Sequence, residues 1–594
     1  MKPTASDRIN SARLTSWAAA LAICALLASG ASAETATAPT GAAPLAAAPA
    51  GTDDPALQPL KLQRAVPRAN GPWTPVDHGK FAALKGPFKS PRDVTSACLT
   101  CHTDSANQMK STIHWTWSKK DPNTGHMIGK ANVFNTFCAN IKSNEQFCTV
   151  CHVGYGDPDP AHFVPFNERA ENQVDCLVCH DRSGKYKKIP FLGGNPAVER
   201  TRVRPGCNEV YGTEEPYVDP PDLAAVAQSV GAPKRENCGG CHFYGGGGDG
   251  VKHGDLDSSL VKATKALDVH MDANGLNFAC ETCHVASNHL LAGSHYEVDA
   301  KPTGGALMRG SAHGGNPASC QSCHGDMPHK KSTLASTINM HTRDIACQTC
   351  HIPAMARGGV ATKMKWDYSS AGKFGPNGTP LVLNDAKGDN VYWGVKGTFA
   401  WGRDVIPQYA WFNGSEDWMT NGEKLHPGAD GVVEVNRISG SATDGKSRIW
   451  PFKIMRNNQP FDPVNNTLTI FHSFGFDDDA FTISGDWNRS ITAGMKDAKL
   501  PYSGKFSFVP TRMYWPLAHM VAPAEKALQC AECHADGGRL ASVAGVYIPG
   551  RGSDHQPWTE RLGMLAVVLS AAGVIGHGLL RIMMWLRRRR GEAA

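Results

Sequence analysis

Cys148-Thr149-Val150-Cys151-His152 and, a short way on, Cys176-Leu177-Val178-Cys179-His180 decide how this chain folds. The same pattern, two cysteines three apart with histidine directly after the second, occurs eight times. The other copies are Cys98/Cys101/His102, Cys238/Cys241/His242, Cys280/Cys283/His284, Cys320/Cys323/His324, Cys347/Cys350/His351 and Cys530/Cys533/His534. Sixteen of the nineteen cysteines are used in this way. The spacing is the attachment signature of c-type haem: two thiols add to the vinyl groups, and the adjacent imidazole becomes the proximal ligand of the iron. Zinc knuckles use similar pairs but need no histidine after each one. A disulfide between cysteines three apart closes too short a loop to stabilise much. Eight covalently attached c-type haems are therefore expected.

The rest of the composition agrees. The chain has 594 residues, 60 basic and 54 acidic, for a net charge of only +6, too little to build a phosphate-binding field, so no nucleic-acid partner is expected. Gly and Pro together number 100 (61 and 39), which favours turns and irregular loops. Eight flat macrocycles would replace much of the side-chain core. The motifs are unevenly spaced: Cys148 lies close to Cys176 and Cys320 close to Cys347, whereas the stretch from Cys347 to Cys530 is by far the longest. The two close pairs point to haems in van der Waals contact. In the long gap, Asn390–Trp401 and Ser447–Met455 alternate aromatic or β-branched residues with polar ones, as strands do. The expected fold is mainly α and irregular, a multihaem cytochrome c fold organised around a haem stack. It carries a partly β haem-free insert and one C-terminal transmembrane helix.

The ends set the compartment. Residues 1–33 read as a signal peptide: Lys2, Arg8 and Arg13, an apolar run, then Ala31-Ser32-Ala33. Residues 34–60 form an Ala/Pro/Thr-rich linker. A haem domain with seven motifs would span 61–351, the haem-free region 352–529, and the eighth haem segment 530–553. Residues 562–585 are long and apolar enough to cross a bilayer, and the basic tail 586–594 belongs on the cytoplasmic side. This places the body on the periplasmic side of a bacterial inner membrane, held by one anchor. His577 interrupts the span, as a haem ligand or as a polar contact with a partner helix.

Of 24 histidines, eight are proximal ligands and sixteen remain as second axial ligands. His270, His313, His341 and His519 lie shortly ahead of an attachment cysteine. His78, His114, His126, His253, His289, His295 and His329 lie among the motifs and are also candidates. His162, His426, His472 and His555 read as surface or core. Electron transfer needs only irons with both axial positions filled, whereas catalysis needs one iron with an unusual or exchangeable ligand.

Several stretches resemble the octahaem tetrathionate reductases. They are Asn135-Thr136-Phe137-Cys138, Ser143-Asn144-Glu145 with the motif at Cys148, Asp175–Asp181, Phe243-Tyr244-Gly245 through Val251-Lys252-His253-Gly254-Asp255-Leu256, Ile345–His351, and Tyr514-Trp515-Pro516 with His519–Pro523. The similarity covers about residues 70 to 550. It implies a lysine-ligated active-site haem, the second one, attached at Cys148, Cys151 and His152. Lys252 is the first candidate, acting opposite His152, with Lys234, Lys187 and Lys188 as alternatives. Asn135 and Cys138 match residues placed near that haem. A Cys138 thiolate would suit exchange with a sulfur–sulfur substrate; a structural disulfide with Cys207 is the other reading. The C-terminal helix departs from the soluble form of the family.

The implied activity is reduction of tetrathionate, with nitrite or hydroxylamine as further substrates, fed by a quinol-linked or cytochrome donor at the membrane. The alternatives are a non-catalytic electron conduit and a hydroxylamine oxidase. Mass spectrometry of the mature chain is expected to show an excess of roughly 5 kDa for eight haems; an excess worth six haems or fewer contradicts the motif reading.

Overall fold

The computed structural model describes residues 76–591, apart from 135–139, 157–168, 203–216, 253, 297, 302–317, 331–332, 377 and 550–556. Asn135, Cys138, His162, Cys207, His253, His313, His555 and the N-terminal segments lie outside the described residues.

The motif-bearing part is built from short helices and loops. Cys98 lies near the end of helix Pro91–Leu99, which Ser90 and Asp93 close with a capping box. Glu145–Cys148, Leu177–His180, Arg235–His242, Gln321–His324, Cys347–His351 and Cys530–Cys533 are likewise helical. Residues i, i+3 and i+4 of a helical turn share one face. One turn thus presents both thiols and the imidazole to one side, and the motif needs no longer helix.

The haem-free region holds the largest regular element, a nine-stranded sheet. In chain order its strands are β1 (Thr362–Asp367), β2 (Val382–Asn384), β3 (Asn390–Trp393), β4 (Gly397–Gly402), β5 (Gln408–Phe412), β6 (Val433–Glu434), β7 (Arg448–Asp462), β8 (Thr467–Leu468) and β9 (Ser507–Pro516). The order across the sheet is β6-β9-β7-β1-β4-β3-β2, with β5 and β8 also paired to β7. The pairings β6–β9 and β7–β1 are parallel and the others antiparallel. Strand β7 is buried along most of its length, its polar residues Arg448, Lys453, Asn457, Gln459 and Asp462 included.

An aromatic core packs on the sheet. Trp366 and Tyr368 stack at 5.6 Å, Phe399 meets Trp366 edge-on at 5.0 Å, and Trp487 packs against Phe471 and Phe481 at 5.0 and 4.2 Å. Each ring buries a large apolar area at few rotatable bonds. The same core runs on into the segment of the second motif through Trp117, Phe147 and Phe191.

Helix Pro557–Gly591 follows the last motif. Its stretch from Arg561 is long and apolar enough to span a membrane, and its large apolar side chains are exposed. Deleting Leu562 to Ala594 is expected to release a soluble protein with all eight haems, because no motif lies beyond His534. Retention in the membrane fraction, or loss of one haem, contradicts a simple anchor.

Candidate active site

Seven of the eight motif histidines face a second histidine among the described residues. The pairs, with ring-centre separations, are His102 with His78 (6.3 Å), His180 with His289 (6.5 Å), His242 with His114 (6.1 Å) and His284 with His519 (6.0 Å). His324 faces His270 (6.1 Å), His351 faces His329 (6.2 Å) and His534 faces His341 (6.2 Å). A metal–imidazole bond is about 2.0 Å, and a ring nitrogen lies about 1.2 Å from its ring centre. Two imidazoles on one iron therefore stand with centres about 6.4 Å apart. The donor set and its spacing fit haem iron at seven motifs.

Of the distal candidates, His270, His341 and His519 sit in these pairs; His253 and His313 lie outside the described residues. The wider pool supplies His78, His114, His289 and His329. His295 takes no such place. It is stacked on Trp515 at 4.4 Å and touches Trp418 at 5.1 Å. Burial, with the Lys252 charge, pushes its pKa down to about 4, so it is neutral near pH 7.

Cysteines of different motifs meet. Thiol hydrogen bonds join Cys98 to Cys176, Cys151 to Cys241, Cys238 to Cys280 and Cys320 to Cys347. Electrostatic interactions further link Cys179 to Cys238, Cys283 to Cys320 and Cys533 to Cys350. The motifs thus run in the order first, third, fourth, fifth, sixth, seventh, eighth, and the second joins at the fourth. The cysteines of the sixth and seventh motifs meet each other, whereas those of the second and third meet the fourth and the first.

Cys101 and Cys323, expected as attachment thiols of the first and sixth motifs, stand apart from these contacts. Cys101 is exposed, with Sγ 3.8 Å from Thr100 Oγ1, and Cys323 is half-buried, accepting from Ser322 Oγ at 3.8 Å. Each meets the hydroxyl of the residue just before it, so neither helps to order the motifs. Their haem-attaching role rests on the motif itself.

The second motif has its own surroundings. His152 Nε2 lies 2.7 Å from the Trp115 carbonyl, and Nδ1 accepts from Gly154 N at 3.0 Å. The ring packs between Trp115 and Trp117, both at 5.1 Å. The nitrogen expected on iron is therefore turned to a backbone carbonyl, which differs from the sequence expectation for a proximal ligand. Asn144 begins the motif helix, and the insert grips it. Its side chain donates to Phe471 O at 3.0 Å and accepts from Ser473 N and Phe474 N at 2.8 and 3.0 Å. Phe474 also stacks on Phe147 at 4.0 Å.

Four lysines are candidates for this site. Lys188 lies at this motif: it donates to the His152 and Gly154 carbonyls and pairs with buried Asp175 at 3.6 Å, and burial lowers the pKa of its amine. Lys234 donates to Arg182 O at 2.7 Å, and Lys187 is exposed. Lys252 is buried, donates to the His242 carbonyl and lies over the Trp515 ring at 5.7 Å. Burial pushes its amine down to about 8, and its charge acts on the Cys151 thiol. A lowered pKa favours the neutral amine, the form that binds a metal.

The sheet clamps the Lys252 loop. Gly250 O accepts from Lys363 N at 3.1 Å and from Thr362 Oγ1 at 2.9 Å. Val251 O accepts from Lys453 Nζ, whose amine also meets Thr362 Oγ1. Lys453, on the central strand β7, is fully buried. Sequence reasoning missed it, although a lysine inside the apolar run Ile449–Met455 is an unusual signal. Asp255, three residues after Lys252, was missed as well.

Residues 97–181 match the family described as cytochrome c554 and c-prime, and residues 363–537 match the family described as bacterial cytochrome c. An octaheme cytochrome c from Shewanella oneidensis is 36% identical, with a TM-score of 0.64, over 80% of this chain and 98% of that one. An uncharacterized protein of Archaeoglobus fulgidus is 23% identical over 277 residues, 40% of this chain and 88% of its own length.

Burial holds the Lys453 amine at about 7 in the fold, against about 10.4 unfolded. Between those values the unfolded chain binds a proton that the folded chain does not, so stability rises with pH across that window. Denaturant midpoints measured from pH 7 to 10 are expected to rise, and less steeply in Lys453→Met. An unchanged slope in the variant contradicts the clamp.

Proposed function

This chain belongs to the octahaem cytochromes c, and on that premise we propose that it is a reductase whose working site is the second motif, with Lys252 as the axial nitrogen donor. The c-type haems supply one-electron transfer and, at one of them, a coordination position for substrate. The observation that carries the reading is the Lys252 amine, which is buried and readily neutralised, acts on the Cys151 thiol of the second motif, and sits on a loop whose carbonyls the sheet holds. Among the described residues, the other seven motifs pair their histidine with a second one at iron-spanning distance.

The residues have distinct tasks in this reading. The seven histidine pairs would hold haem iron with both axial positions filled, which suits carrying electrons rather than binding substrate. Lys252 provides the unusual ligand. His152, its ring nitrogens engaged by Trp115 and Gly154, supports the site from behind. Lys130 and Lys188, whose charges act on Cys151 together with that of Lys252, favour an anionic substrate. Tetrathionate fits that charge, as does nitrite, and hydroxylamine is the third substrate in this reading. Asn135 and Cys138 remain part of the proposal, with Cys138 as a thiol for sulfur exchange. The apolar helix at the C-terminus anchors the protein at the periplasmic face of the inner membrane, where a quinol-linked or cytochrome donor reaches it.

The test is turnover with reduced viologen against tetrathionate, nitrite and hydroxylamine. Lys252→Ala is expected to keep eight attached haems, alter the spectrum of one, and lower turnover at least by the roughly 10–100-fold that loss of an outer-shell partner costs a metal site. Cys138→Ser is expected to lose tetrathionate turnover and retain that of nitrite. Unchanged rates and spectra in Lys252→Ala contradict the reading and favour the electron conduit.

A further inference from the structure

The paired histidines differ in what holds their second nitrogen. His180, His284 and His534 direct Nδ1 to the carbonyls of Gly231, Ala292 and Pro549 at 2.8 to 2.9 Å. His289 and His329 direct it to the side-chain amide oxygens of Gln108 and Asn339, both at 3.0 Å. The Nδ1 of His270 lies 3.9 Å from Asp268, beyond hydrogen-bond reach. His519 is different: its Nδ1 donates to a carboxylate, Asp255 Oδ1, at 3.0 Å.

Asp255 is 2% exposed and fully engaged. Oδ1 also accepts from Ala518 N and His519 N at 2.8 and 2.9 Å, and Oδ2 accepts from Trp515 Nε1 at 2.9 Å. Four donors aimed at its two oxygens make this the environment of a carboxylate. Asp255 N in turn donates to Lys252 O at 3.0 Å. The same residue therefore meets the distal histidine of the fifth motif through its carboxylate and the turn that carries Lys252 through its backbone N–H.

We propose that Asp255 is a positioning residue that lowers the reduction potential of the haem between His284 and His519 relative to its neighbours in the line. A carboxylate on the far nitrogen makes an imidazole a stronger donor to its metal, which stabilises the ferric state. Reduction also adds one electron, hence one negative charge, close to a fixed negative group. The fifth motif lies between the sixth and the fourth, and the fourth is where the second branches off. A low-potential position there passes electrons on toward the branch rather than retaining them. The consequence holds whichever substrate the second motif reduces.

The experiment is a spectroelectrochemical titration of the full-length holoprotein, with low-spin signals followed by electron paramagnetic resonance and no substrate present. Asp255→Asn is expected to keep eight haems and raise the midpoint of one of them, leaving the others in place. Asp255→Glu is expected to return that midpoint toward wild type. Unchanged midpoints in a fully loaded Asp255→Asn protein overturn the proposal. A shift spread over several haems does so too, because it reports a structural role. Where Asp255→Asn fails to assemble, Trp515→Phe decides. Removing the donor to Oδ2 strengthens the carboxylate as an acceptor, so one midpoint is expected to fall, and no movement overturns the proposal. Because turnover is not read, a failure here is distinct from a failure of the reductase reading.

Discussion

Two imidazoles whose ring centres stand 6.0–6.5 Å apart leave between them the space of one six-coordinate iron, and this spacing recurs at seven motifs. Each pair ties a motif to a histidine outside it, in several cases from a distant part of the chain. A turn of four or five residues has little stability of its own. The irregular part of the fold is therefore held largely by these cross-links and by the macrocycles that fill the space between them. Loops and glycines suffice elsewhere, because the cofactors supply the apolar bulk that side chains supply in other proteins.

The haem-free sheet answers a different need. It has an ordinary aromatic core, and that core makes it rigid enough to act as a frame. Residues 471–474 grip Asn144 at the start of the second motif helix, while Thr362, Lys363 and Lys453 hold the carbonyls of Gly250 and Val251 just ahead of Lys252. Both halves of the proposed active site are thus fastened to one body. This gives a physical reason for the long stretch between the seventh and eighth motifs: a weak, substrate-exchangeable centre needs a stiffer support than a saturated one.

Much of this was legible in the chain. The eight motifs are local, so their spacing reveals them, and the alternation at Asn390–Trp401 and Ser447–Met455 announced strands that the sheet contains. His270, His341 and His519 stood out because they lie just ahead of a motif. The pairing itself was not legible, since His289 meets His180 and His114 meets His242 across long stretches of chain, and spacing carries no record of such contacts. Asp255 and Lys453 were missed for a related reason. A charged residue reads as surface until tertiary structure buries it and gives it partners. The expected engagement of His152 with iron also failed to anticipate the carbonyl of Trp115, which arrives from another segment.

The central claim is that one haem site differs from seven like ones. Near-infrared magnetic circular dichroism of the fully oxidised holoprotein tests it most directly, because the charge-transfer band of ferric haem reports its axial ligands. The account predicts intensity for seven bis-histidine haems and a separate contribution from one haem with an amine ligand, altered when an anionic ligand is added. Eight bis-histidine haems, unmoved by added ligand, would contradict it.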